Sequence, residues 1–255
     1  MKKIQLYLLL ILLFISTSCF SYPPEINDDL KLKVKNLITL FKSRNVEAIS
    51  NQINYPLDRK SPIPSVNNKQ EFKLRFNEIF DSTLINMISK SKISQWSEVG
   101  WRGIMLDNGQ VWIDSYSGKI IAVTYQSDFE KQQMQQLIQK EKDKLFSSLK
   151  IFERPKYKIQ TKHFYIRIDE LKGNKFRYAS WKIGSIESTK PNIILENGIL
   201  EHEGTYGNHF ITFKNGEYKY IVYRSFIGEE STPDFSVEVL KNGKTILEED
   251  GVLLE

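Results

Sequence analysis

Apolar positions change their period twice along this chain, from helical to alternating near Gln95 and again after a polar stretch that ends near Pro155. Between Asp28 and Phe41 the residues Leu30, Val34, Leu37, Ile38 and Phe41 recur at helical spacing. Asn27 or Asp28 can cap that first turn, so an amphipathic helix is expected there. Asn45 can cap a second, short helix carrying Val46, Ile49 and Ile53, which the Tyr55-Pro56 step ends because a residue before proline resists the helical region. A loop from Tyr55 to Val66 follows. Asn68 and Glu71 have capping-box spacing, and Phe72, Phe76, Ile79, Phe80, Leu84, Met87 and Ile88 continue a helical stripe that Ser82 can divide.

From Trp96 the pattern turns to β. One strand is expected from Trp96 to Leu106, a hairpin turn at Asn108-Gly109, a return strand at Val111 to Asp114, and a third strand from Lys119 to Tyr125. Helices followed by a three-stranded meander predict an α+β layer, because the sheet needs its apolar face covered and the helices can cover it. Residues 128–152, rich in Gln, Lys and Glu with an apolar stripe at Met134, Leu137, Ile138, Leu145 and Leu149, read as one long connecting helix.

After Pro155 nearly every segment reads as strand: 163–169, 176–183, 192–195, 199–203, 209–213, 218–226, 235–240 and 245–248. Asn197-Gly198, Asn215-Gly216 and Asn242-Gly243 lie between strand-like runs, and this hairpin rhythm predicts an all-β domain, a small sandwich or barrel.

The segment GWRGIMLDNGQVWID, with the preceding helix NKQEFKLRFNEIF, resembles the cone-shaped NTF2-like superfamily over residues 27–126. The resemblance lies in element order and hairpin rhythm. It implies helices packed on a curved antiparallel sheet around a concave pocket, which some members use for catalysis and others for binding. The expected organisation is therefore an export signal at 1–21, the α+β unit at 22–126, a connecting helix at 127–154 and the all-β unit at 155–255.

The export signal rests on Lys2 and Lys3, a largely apolar run from Ile4 to Ile15, and small residues at 16–18. The run is short for a membrane span, which needs about 20 apolar residues. Cys19, the one cysteine of the chain, sits where a bacterial lipoprotein carries its acylated residue, although Ser16 stands where a lipobox has an aliphatic residue. Cleavage after Ser18 or Ser21 is the competing reading, and the second leaves a mature chain without cysteine or disulfide. The expected location is accordingly periplasmic or secreted, or membrane-anchored through a lipid on Cys19. Loss of Lys2 and Lys3 takes the formal charge from +5 to +3, and the mixed charges form no phosphate-binding footprint, which argues against a nucleic-acid partner.

Candidate chemistry is sparse. His163, His202 and His209 match no zinc spacing, and in Glu201-His202-Glu203 strand alternation sends the histidine to the opposite face from both carboxylates. No metal or cofactor site is expected. His209 shares a strand face with Ile211 and Phe213, which places an ionisable ring beside an apolar interior. The sequence lacks Gly-x-Ser-x-Gly, and no residue stands out as a covalent nucleophile. Trp101, Arg102, Trp112 and Asp114 fall on the first hairpin and are candidate ligand contacts if that face lines a cavity. Tyr206, Tyr218, Tyr220 and Tyr223, with His209, are candidate protein-binding residues, since Tyr offers large contact area with a polar tip.

The function expected from these features is non-catalytic binding, in the bacterial cell envelope, of a protein or envelope ligand. Inhibitor and immunity proteins provide a general analogy. The alternative is a small-molecule binder or enzyme using a cavity of the helical unit, with Asp107 or Asp114 as acid or base.

Overall fold

A computed structural model describes residues 27–204 and 207–254. The expected export signal, with Cys19, lies outside the described residues, and so does Tyr206. The first domain begins with α1 (Asp28–Ser43), α2 (Val46–Asn51), α3 (Lys69–Ile79) and α4 (Ser82–Ser89). Each has an Asn or Asp N-cap, Asn27, Asn45, Asn68 and Asp81, whose side chain accepts a backbone N–H of the first turn. The helices cover a meander of β1 (Trp96–Glu98), β2 (Ile104–Leu106), β3 (Val111–Ile113) and β4 (Ile120–Val123).

Two expectations for this sheet are corrected. The long strand over 96–106 is broken by a 3₁₀ turn at Gly100–Arg102, so β1 and β2 pair as a hairpin and the sheet has four strands. The cause is local. Gly100 and Gly103 adopt φ of +52° and +97°, and a Cβ at Gly103 would stand 2.3 Å from the Ile113 carbonyl oxygen. The turn at Asn108-Gly109 is also a four-residue loop, 107–110, in which Asp107 and Gly109 take positive φ.

The expected continuous connecting helix over 128–152 is overturned as well. Helix α5 (Asp128–Lys144) ends where Leu145 turns extended, and residues 145–153 then run against the barrel, interrupted by one 3₁₀ turn at Ser147–Leu149. Burial decides this. Leu145, Leu149 and Phe152 pack with Ala179 and Trp181 on the outer wall of the second domain, a contact that a continued helix would lose.

The second domain is a closed antiparallel barrel, not a sandwich. Its strands are β5 (Arg154–Thr161), β6 (Phe164–Leu171), β7 (Lys175–Lys182), β8 (Ile193–His202), β9 (His209–Asn215), β10 (Tyr218–Arg224), β11 (Phe235–Lys241) and β12 (Lys244–Leu253). Each strand pairs with the next, and β12 closes on β5 through Gly251↔Thr161, Val252↔Gln160 and Leu253↔Ile159. Closure removes both sheet edges.

Strand β5 was not among the expected strands, because Arg154-Pro155 reads as a boundary. Conversely, the two short strands expected around Asn197-Gly198 are one strand, β8, with a bulge at Glu196-Asn197 immediately before Gly198, which pairs with Phe176. Gly198 is needed there because the Phe213 ring occupies the space of a side chain, with its nearest carbon 2.3 Å from an ideal Cβ. Of the other expected hairpins, Asn242-Gly243 is a two-residue turn with both φ positive, whereas the β9–β10 turn is formed by Gly216-Glu217.

Candidate ligand-binding cavity

Strand alternation sends Phe164, Ile166, Tyr178, Ser180, Tyr220, Val237 and Val239 inward. These side chains do not fill the barrel completely. They enclose a cavity of about 190 Å³ that lies toward the end carrying the β5–β6 and β7–β8 connections, as Thr161, Phe164 and Ile193 at strand ends show. Its aliphatic wall comes mainly from Ile166, Val237, Val239 and Leu247, and its polar groups are Thr161, Tyr178, Ser180, Tyr220 and Glu249.

Glu249 is the one formally charged residue among those lining the cavity, and it is only 9% exposed. Its position follows from β12, where Leu247, Glu249 and Gly251 share the inward face. His163, in the β5–β6 connection, binds the carboxylate twice: Nδ1 donates to Oε1, and the backbone N–H donates to Oε2 at 3.2 Å. Burial pushes the Glu249 carboxyl up, but these hydrogen bonds and one from Thr161 outweigh it and hold the group below the usual carboxylate range. The cavity is therefore charged at neutral pH. The Tyr178 and Tyr220 rings lie 5.7 Å apart, and burial pushes the Tyr178 hydroxyl up to about 12, so it stays a neutral donor.

An aromatic cluster occupies the other end. Tyr157 meets Phe235 edge to face at 4.9 Å and stacks on His209 at 6.0 Å, while the Arg224 guanidinium lies over the rings of Phe226 and Phe235. His209 Nδ1 reaches the Gly207 carbonyl oxygen at 2.7 Å, and since a carbonyl only accepts, that nitrogen carries the proton. In the neutral ring Nε2 then accepts from the Tyr157 hydroxyl at 2.8 Å. Burial, with Lys156, His202 and Arg224 nearby, lowers the His209 pKa.

The residues singled out from the sequence are dispersed. Trp101 is 65% exposed on the 3₁₀ turn with Arg102 over its ring at 5.7 Å, and Trp112 lies half-buried against Gly109. Asp114 accepts from the Ser117 N–H and hydroxyl, which hold its pKa low. These four line no helix-to-sheet pocket. Phe41, Phe72, Phe76 and Phe80 fill that space, with the Phe76 and Phe80 rings stacked at 5.5 Å.

Nor do the tyrosines form one surface. Tyr220 points into the barrel, Tyr218 packs against the barrel core, and Tyr223 stands on the outer wall bonded to Glu238. His209 is buried in the aromatic cluster, and His202 is exposed 5.7 Å from it. Glu249, Tyr178 and Phe164 were missed. A signal for Glu249 existed: a carboxylate stands at the inward parity between Leu247 and Gly251. Comparison with protein-family models, with curated proteins and with solved structures finds no match for this chain.

Proposed function

We propose that this protein is an exported, non-catalytic binder whose ligand is a small, mainly apolar molecule held inside the barrel. The observation carrying this reading is the cavity of about 190 Å³ with polar groups gathered at Glu249, Tyr178 and Tyr220 and aliphatic side chains around the rest. Eight-stranded barrels have an interior just wide enough for side chains or one small ligand. A dry apolar cavity of about 150 Å³ accepts a benzene ring, so this one matches a ring with a short substituent. Export is supported by Lys2, Lys3 and the apolar run from Ile4 to Ile15.

The test is methyl-resolved NMR of the chain from Tyr22 with toluene, phenol and cyclohexanol. Binding in the barrel shifts Ile166, Val237, Val239 and Leu247 and leaves Ile104 and Ile113 of the first domain unmoved. Val239→Phe, which fills the cavity, abolishes those shifts. Shifts confined to the first domain, or none at all, overturn the reading.

A further inference from the structure

The polar groups of the cavity are unequal, and their inequality specifies a ligand chemistry. No Lys or Arg lines the cavity beside Glu249. Its hydrogen bonds come from the rim, where the His163 side chain is 58% exposed, and from Thr161. Toward the cavity the carboxylate faces tyrosine rings and aliphatic groups. An anionic ligand would meet a buried like charge and no cation within the cavity, and an all-apolar ligand would further desolvate the carboxylate without pairing it.

A protonated amine meets both demands. Its N–H groups can donate to Glu249 as a charge-assisted bond, and the electron-rich faces of Tyr178, Tyr220 and Phe164 attract a cation. The cavity volume restricts the rest of such a molecule to about one ring and a short linker.

We infer that the barrel selects a small cationic amine on an apolar one-ring body, with Glu249 as counter-ion and Tyr178 and Tyr220 as the aromatic wall. This rests on the barrel being the ligand site. Three probes of nearly equal size separate the two statements: phenethylamine, 2-phenylethanol and phenylacetate, titrated calorimetrically into the chain from Tyr22 at pH 7. The amine binds at least about tenfold tighter than the alcohol, and phenylacetate binds more weakly than either. Glu249→Gln removes the preference, so that the amine no longer binds tighter than the alcohol.

Should that variant fail to fold, the pH dependence of the wild-type chain decides, with amine affinity falling as Glu249 is protonated while alcohol affinity stays level. Equal binding of amine and alcohol, or a pH-independent ratio, overturns amine selection and leaves the barrel as ligand site. Failure of all three probes to bind the folded chain overturns both.

Discussion

Arg59 and Glu130, 71 positions apart, grip each other through two hydrogen bonds, Nε to Oε1 at 2.6 Å and Nη2 to Oε2 at 2.5 Å, with both side chains almost wholly buried. Arg59 comes from the loop before α3 and Glu130 from the first turn of α5. Two further N–H groups of the guanidinium, on Nη1 and Nη2, donate to the carbonyls of Val123 and Tyr125, so this one side chain ties the end of the small sheet to the start of the helix. Removing one partner leaves a charge buried without compensation. Arg59→Met is expected to cost about 3–5 kcal/mol, and Arg59→Met with Glu130→Leu to recover most of it, since apolar replacement of both partners removes the desolvation cost too. Urea unfolding of the wild type and both variants checks this.

The far end of α5 is fastened to the barrel in the same manner. Glu141 accepts from Lys158 on β5 and Arg167 on β6, each at 2.7 Å, and Arg167 continues through Asp169 to Arg177, whose guanidinium donates to the Leu149 and Ile151 carbonyls. Burial works against the Glu141 charge, but the hydrogen bonds from Arg167 and Lys158 prevail and hold its pKa low. Glu141→Leu is expected to destabilise by about 1–3 kcal/mol. It should raise hydrogen exchange in the last turns of α5 and leave the first turn protected, because the Arg59–Glu130 pair is untouched. Uniform exchange along the helix would show that the two anchors do not act separately.

Gly198 governs how the barrel interior is filled. An alanine there would drive its methyl into Phe213, a buried ring that itself lies 5.6 Å from Tyr178 at the cavity wall. Gly198→Ala is expected to destabilise by about 1–3 kcal/mol through overpacking. Pairing it with Phe213→Leu should restore most of the loss, because the shorter side chain vacates the space. Thermal unfolding of the single and double variants measures both effects, and additive losses would contradict the steric account.

These sites show where sequence reading succeeds and where it stops. The starts of α1, α2 and α3 were legible because Asn27, Asn45 and Asn68 act through local hydrogen bonds, and the β character of the second domain because alternation is local as well, whereas for α4 the sequence marked only a break at Ser82 and the cap from Asp81 came from the structure. Barrel closure was not legible, since the β12–β5 pairing joins Gly251 to Thr161 and no local pattern encodes that partner. Asn197-Gly198 misled because an Asn at positive φ serves a bulge as well as a hairpin turn, and only the distant Phe213 ring decides between them. Glu249 escaped notice for a similar reason: its meaning depends on which strand face ends up inside.

His209 links the far end of the barrel to pH. Its pKa is lowered in the folded chain by burial and by Lys156, His202 and Arg224 nearby, whereas unfolded histidine titrates at about 6.5. Between those two values the unfolded chain binds more protons, so stability falls as pH drops below about 6.5 and stops falling once the folded pKa is passed. Protonation also converts Nε2 to a donor and ends its acceptance from the Tyr157 hydroxyl. His209→Gln lacks a titrating group, and Gln can still offer one donor and one acceptor. Its stability is therefore expected to be lower than wild type at pH 7.5 but flatter between pH 6.5 and 5. Denaturant midpoints measured across that interval decide the matter: parallel pH slopes in the two proteins would place the acid sensitivity outside His209.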